Sequence, residues 1–294
     1  MSIGVIGRTP PPIGGVSVFF SRRINQLIES GVSVEVFDLG SRFVSIRLFL
    51  SRSKKFEVNS LNLGLVFLLF ICGKLSKSVF IDHNASRHFS GFKKSILLFF
   101  LKRSAGVEIV NSDLSEFYPN GISLTLLHPF IPPTLSAKES VLSTYDDKTL
   151  LFIKRDNLVV NSAWKYIKYN NTDLYGIETS ILLLETFKKL NLLLAIADWD
   201  ELSMPPRVVQ KINKYKDEDR LHLFTGQKEL WPVFLEQPTF LRLTPTDGDS
   251  VSVREALYFG ANVIASNTIK RPSGCHIYEY GKMDSLIAVM DKYS

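Results

Sequence analysis

The sequence predicts an α/β protein made of two domains, each a parallel sheet with helices on its faces. Short apolar runs alternate with longer amphipathic ones along nearly the whole chain. At 294 residues the chain is long enough for about two domains of ordinary size. A polar stretch bounded by prolines interrupts the alternation near its middle.

The elements follow in order. "SIGVIG" (2–7) reads as a strand, and "RTPPPIGG" (8–15) as a loop. "VSVFFSRRINQLIES" (16–30) has apolar residues at helical spacing, and Gly31, free to turn left-handed, ends that helix. "VSVEVFDL" (32–39) completes a βαβ unit. "SVFIDHNAS" (78–86) is a strand running into a loop, and "KKSILLFFLKRS" (93–104) reads as a buried helix. "GVEIVNSDLSEFY" (106–118) reads as strand, turn and helix start, and "ISLTLLHPFIPP" (122–133) as a strand ending in prolines. Those prolines and the polar run 134–148 set domains at 1–133 and 134–294. The alternation resumes at 149–164 and continues with a helix at 176–190, a strand at 191–198, a helix at 205–216, and strands at 221–226, 239–245 and 262–266. Ligands of such folds bind beyond the carboxyl ends of the strands, which here predicts a central cleft between two facing domains.

Composition narrows the class. Hydrophobic content of 45% and charged content of 22% suit a soluble globular protein. No basic segment leads into a long apolar core at the start, and the longest apolar run (63–72) is short for a membrane span. Two cysteines without metal-ligand spacing suit a reducing cytoplasm. The net charge of +6 is uneven: residues 1–130 carry 15 Lys and Arg against 8 Asp and Glu, and the remainder 20 against 21. "SRFVSIRLFLSRSKKF" (41–56) interleaves Arg42, Arg47, Arg52, Lys54 and Lys55 with apolar residues. Such a face can lie on an anionic membrane surface. An ordinary basic surface is the alternative, and no motif supports nucleic acid as a partner.

Two segments carry chemistry. "PPPIGGVSVFF" puts Gly14 and Gly15 between a strand and a helix, where backbone amides can approach a phosphate. It does not fit the dinucleotide fingerprint, and a structural turn is the other reading. "TPTDGDSVSVREALYFGANVIAS" (244–266) places Asp247 and Asp249 before a helix, Glu255 in its first turns and Gly260 at its end. Amides after Gly248 can receive a diphosphate, and Asp247 and Glu255 can accept hydrogen bonds from sugar hydroxyls. Ser252-x-x-Glu255 also reads as a capping box, and "DGD" as a metal-binding Asp-x-Asp.

The chain resembles, nearly end to end, the GT-B fold glycosyltransferases of the large retaining group called family four. Their signature is a Glu, seven residues, then a second Glu opening "EA(L/M)xxGxPVIAS"; here Asp247 and Glu255 stand at that spacing in "EALYFGANVIAS". "GGVSVFF" resembles the group's Gly-Gly loop, "FIDHNAS" its strand ending in a histidine, and 107–133 the segment before its linker. The resemblance implies two Rossmann-like domains, an acceptor-side one followed by a nucleotide-sugar-binding one. It implies that Glu255 holds the ribose hydroxyls, Asp247 contacts the transferred sugar, and His83 reaches that sugar from the opposing domain. The amides of Gly248, Asp249, Ser250 and Val251 would meet sugar and phosphate, with Gly14 and Gly15 near the diphosphate.

The implied activity is retaining transfer of a hexosyl group from a nucleotide sugar to a glycan or lipid-linked acceptor. It needs no metal or other cofactor, and belongs to bacterial surface polysaccharide or lipopolysaccharide synthesis on the inner face of the membrane. Two departures stand out. Asp replaces Glu at 247, and the Arg and Lys of "GRLxxxKG" that clamp the diphosphate are missing, with Tyr175-Gly176 where Lys-Gly would be. Lys165 or Lys168 is the candidate replacement. An accessory protein that has lost turnover, and a metal-dependent Asp-x-Asp enzyme, are the rival readings.

Overall fold

In the N-terminal half, β1 (Ser2–Gly7) pairs in parallel with β2 (Ser33–Asp38) on one side and β3 (Lys55–Val58) on the other. β4 (Ser78–Asp82), β5 (Gly106–Ile109) and β6 (Leu124–Leu126) extend the sheet in the order β2-β1-β3-β4-β5-β6, again in parallel. This computed structural model describes residues 2–10, 14–127, 130–247 and 250–293. The chain divides into two compact units, 1–131 and 132–294.

The first unit's helices are α1 (Gly15–Glu29), α2 (Val44–Leu50), α3 (Leu63–Ile71) and α4 (Gly91–Leu101). Parallel crossovers are right-handed. The step from β1 to β2 runs one way across the sheet and every later step runs the other, so α1 covers one face and α2, α3 and α4 the opposite face. Packing agrees. Arg23 of α1 grips Glu57 of β3 at 3.0–3.1 Å, whereas Leu48, Leu69 and Leu97 of the other three helices share a core with Phe37, Phe56 and Phe80. Gly31 closes α1 with φ +74°, as expected.

Two expectations need correction here. The segment 93–104 is not a buried helix: α4 buries only Leu97 and Leu101, because one stripe meets the sheet, while Phe92 and Phe99 stand in solvent. Residues Ser112–Phe117, expected to start a helix, close as a 3₁₀ helix, with the Asn111 side chain capping the Asp113 amide.

The polar run is itself structured: α5 (Lys138–Leu142) lies within it, α6 (Asp147–Phe152) starts at its end, and Tyr145 between them is buried. β7 (Leu158–Ala163) precedes a two-stranded antiparallel hairpin, β8 (Lys168–Tyr169) and β9 (Thr172–Asp173). Then come α7 (Ile177–Thr186), β10 (Asn191–Ile196), α8 (Pro206–Asp217), β11 (Leu221–Thr225), the short α9 (Trp231–Phe234) and β12 (Thr239–Arg242). α10 (Val251–Tyr258), β13 (Asn262–Ser266), β14 (Cys275–Tyr278) and α11 (Met283–Met290) complete it. The sheet is parallel with the order β11-β10-β7-β12-β13-β14. The order reverses between β7 and β12, so their carboxyl ends flank a switch point, where loops diverge and leave a crevice.

Candidate functional site

At that switch point β12 ends in Arg242, and the chain turns back so that Asp247 meets it. Arg242 Nε donates to Asp247 Oδ2 at 2.7 Å and Nη2 to Oδ1 at 2.8 Å. Arg271, from the segment after β13, donates through Nη1 to the same Oδ2 at 2.8 Å. Its other nitrogens reach the Ser266 carbonyl, the Ser266 hydroxyl and the Thr244 hydroxyl at 3.2, 2.9 and 3.3 Å. The Asp247 side chain is only 8% exposed. Burial alone would raise its carboxyl pKa, but the two guanidiniums outweigh that and hold it below the usual carboxylate range. Two arginines thus share this one carboxylate. Arginine has five N–H donors. Those of Arg242 not given to Asp247 have no acceptor among the described residues.

Helix α10 begins just beyond. Ser250 is its N-cap residue and Val251 its first helical residue. Ser252 therefore sits inside the helix, its hydroxyl 3.0 Å from that of Ser250. A capping box needs its acid three residues after the cap, a place held by Val253. The capping-box reading of Ser252 and Glu255 is thereby corrected: Glu255 lies too deep to cap, and it is buried. Its charge helps, after burial, to raise the pKa of the Tyr145 hydroxyl. Gly248 and Asp249 lie outside the described residues.

The segment between β7 and α7 supplies the other wall. Gly176 precedes α7 with φ +68°, and a Cβ there would lie 2.4 Å from Leu243 Cβ, so only glycine fits. Buried Asn161 of β7 fixes this turn through Nδ2 donations to the Tyr175 and Gly176 carbonyls, both at 3.2 Å. Asp173 accepts from the Tyr175 and Glu178 amides at 3.1 and 2.8 Å. The Tyr175 ring, at the position where the resemblance would put a lysine, lies 5.7 Å from the Arg242 guanidinium carbon. Lys165 and Lys168 are both exposed, Lys168 opposite Asp173 in the hairpin.

In the first unit, His83 follows the carboxyl end of β4. Burial pushes its pKa down to about 4, against the pull of neighbouring Asp82, so the imidazole is neutral near pH 7. Its Nε2 lies 3.5 Å from Asn59 Oδ1, and Phe19 of α1 meets the ring edge-on at 4.9 Å. A neutral imidazole at this site exchanges hydrogen bonds and contributes no charge. Gly14 is the N-cap of α1, with its amide donating to Ser17 Oγ at 3.0 Å, and Gly15 is the first helical residue. Gly14 is extended at φ −155°. A Cβ added there would meet only Ser17 Oγ, at 4.0 Å, among the described residues, so a ligand can come close to the backbone at the helix start.

Sequence reasoning missed Arg242, Arg271 and Asn161. An arginine between Leu241 and Leu243 in an otherwise apolar strand was a readable sign that a partner lay near. Arg271, 24 residues beyond Asp247, gave none. Among the described residues no group of three or more His, Cys, Asp or Glu is arranged to hold a metal ion.

Together the two units have the fold of the GT-B glycosyltransferases. Anabaena HepE, solved with UDP-glucose, aligns over 99% of this chain and 89% of its own, with a TM-score of 0.63 at 12% identity. A UDP-forming α,α-trehalose-phosphate synthase from Burkholderia xenovorans aligns over 100% and 91%, with a TM-score of 0.62 at 10% identity. A Rickettsia africae glycosyltransferase aligns over 99% and 87%, at 0.58 and 10%. At such identities the likeness is one of fold. No known protein-family model matches the sequence, and no curated protein matches it.

Proposed function

We propose that this protein is a retaining glycosyltransferase that moves a sugar from a nucleoside-diphosphate donor to a glycan or lipid-linked acceptor. The observation that carries the reading is the switch-point geometry. A helix start, an Asp held between two arginines and a buried Glu at the fifth position of α10 stand together at the carboxyl ends of β12 and β13. The end-to-end likeness to a fold seen with UDP-glucose supports it.

In this reading Glu255 accepts the two ribose hydroxyls, and the amides of Gly248, Asp249, Ser250 and Val251 face sugar and phosphate. Gly14 and Gly15 leave room for the diphosphate at the start of α1. Lys165, Lys168 and the unengaged donors of Arg242 neutralise the departing nucleoside diphosphate, and neutral His83 offers a hydrogen bond to the sugar. Asp247 contacts that sugar while ion-paired, so one residue both orients the donor and fixes Arg242. Transfer breaks the anomeric carbon–phosphate oxygen bond and forms a bond to the acceptor oxygen, whose proton leaves with the nucleoside diphosphate. The protein contributes positioning and preorganised charge, without a metal. The domains serve as acceptor side (1–133) and donor side (134–294), at an anionic membrane surface on the cytoplasmic side, in surface-polysaccharide or lipopolysaccharide assembly.

Thermal shift with UDP-glucose, GDP-mannose and other nucleotide sugars, with and without EDTA, tests this reading. Stabilisation by at least one donor that survives EDTA is expected. No response to any donor would leave the accessory-protein reading. A response abolished by EDTA would instead favour the Asp-x-Asp reading.

A further inference from the structure

The face of the first sheet covered by α2, α3 and α4 has an outer surface unlike the rest of the molecule. Phe49, Phe67, Phe70, Phe92 and Phe99, spread over the three helices, are 48–80% exposed. Exposed aromatic clusters of this kind mark an interaction surface. Charge on the same stretch is one-sided. Residues 39–107 carry twelve Lys and Arg and only two carboxylates, Glu57 and Asp82. Both carboxylates are buried, Glu57 under Arg23 and Asp82 under the Tyr118 hydroxyl. No exposed carboxylate therefore interrupts the cations on these helices and their connections. The cations stand beside the aromatic rings: the Arg103 guanidinium lies 3.8 Å from the Phe99 ring centre, Lys93 and Lys94 lie in the first turn of α4, and Arg42 and Arg52 flank α2.

Handedness puts all three helices in one layer, so their outer sides make a broad surface and not a groove. A broad layer with apolar rings between cations and no anions matches the boundary of an anionic bilayer, where phenyl groups enter the acyl edge and cations meet phosphates. No helix of the described residues is long and apolar enough to cross a membrane.

We infer that the α2–α3–α4 layer is a lipid-docking surface that rests on anionic phospholipid headgroups, with the phenylalanines of α3 and α4 inserted among them. This deepens the membrane partner proposed above and rests on that reading; it extends the basic segment 41–56 to two helices whose contribution comes from rings as well as charge.

Flotation of the full chain with vesicles of phosphatidylcholine alone, or of phosphatidylcholine mixed with phosphatidylglycerol, tests it. The chain is expected to float with the mixed vesicles and far less with the neutral ones. The variant Phe67→Ser with Phe99→Ser alters exposed positions on separate helices, and is expected to lose vesicle affinity by about tenfold or more while its melting temperature stays close to the parent's. A parent that ignores the mixed vesicles, or a double variant that floats as well as the parent, would overturn the inference. So would a concentration-dependent parent oligomer that this variant disperses, since a second copy would then cover the layer. Nucleotide binding, measured separately by calorimetry, reports on the proposed transferase and is independent of either result.

Discussion

Asp247 and Arg242 are joined at two points, Nε to Oδ2 at 2.7 Å and Nη2 to Oδ1 at 2.8 Å, with Arg271 sharing Oδ2 from the other side. A planar guanidinium matched to a carboxylate in this way is fixed in direction as well as distance. The pair sets where the remaining Arg242 donors lie, so Asp247 has structural work to do before any ligand arrives.

Removing that carboxylate leaves two largely buried guanidiniums without their shared anion. Asp247→Asn is expected to lower stability by about 3–5 kcal/mol, the range for one broken partner of a buried pair. Urea unfolding measures it. An unchanged midpoint would mean that the triad is solvated and that Asp247 serves the ligand alone.

The cations differ in what they would contribute. Arg242→Met, Lys165→Ala and Lys168→Ala are each expected to weaken UDP binding more than uridine binding, since in the proposed reading only the diphosphate meets them. Arg242 should show the larger effect because Asp247 already fixes it, whereas the exposed lysines must give up side-chain freedom. Calorimetry with the two ligands reads the ratio; equal losses for both would place these side chains away from the diphosphate.

His83 predicts an acid-sensitive fold. Its pKa is about 4 when folded and near the ordinary 6.5 when unfolded. As pH falls from about 6.5 to 4 the unfolded chain therefore binds a proton that the folded chain refuses, and stability present at neutral pH is lost across that window. The slope from this one group is at most about 1.4 kcal/mol per pH unit. His83→Gln should flatten the decline between pH 7 and 5. His222, also lowered by burial, contributes equally to both proteins. Identical pH dependence in parent and variant would contradict the buried, neutral assignment.

Gly176 and Gly31 make a matched pair. Both have positive φ, +68° and +74°, but a Cβ at 176 would meet Leu243 while one at 31 would meet nothing within 4 Å. Gly31→Ala is expected to cost about 1 kcal/mol for backbone strain alone. Gly176→Ala adds overpacking of about 1–3 kcal/mol and pushes on Leu243, next to Arg242. Equal costs in chemical denaturation would show that the α7 turn has slack.

The sheets were legible because parallel strands buried on both faces read as short apolar runs between longer amphipathic ones. "NLLLAIAD" and "NVIAS" are strands almost to the residue. Failures came where periodicity does not report the environment. α4 is apolar around much of its circumference, which normally signals burial, yet the sheet covers one stripe and the remainder forms an exposed layer. The small apolar segments that became α6 and α9 were too short for period to separate helix from strand. At the candidate site Asp247 and Glu255 were visible because they flank one local helix start. Arg271 and Asn161 reach the same place through sheet pairing and a distant loop, and local sequence carries no trace of that.

The proposed transferase stands or falls on Glu255, and UDP titration of the parent and of Glu255→Gln in EDTA probes it. Glu255 is five residues into α10, so Gln does not alter a cap. In the proposed role it removes a charged acceptor for two ribose hydroxyls, a contact of about 1.5–3 kcal/mol. Metal-independent UDP binding by the parent is expected, weakened by about 10- to 150-fold in Glu255→Gln, with affinity for inorganic pyrophosphate unchanged. Equal UDP affinity in the two proteins, or no UDP or other nucleotide binding by the parent, would contradict it.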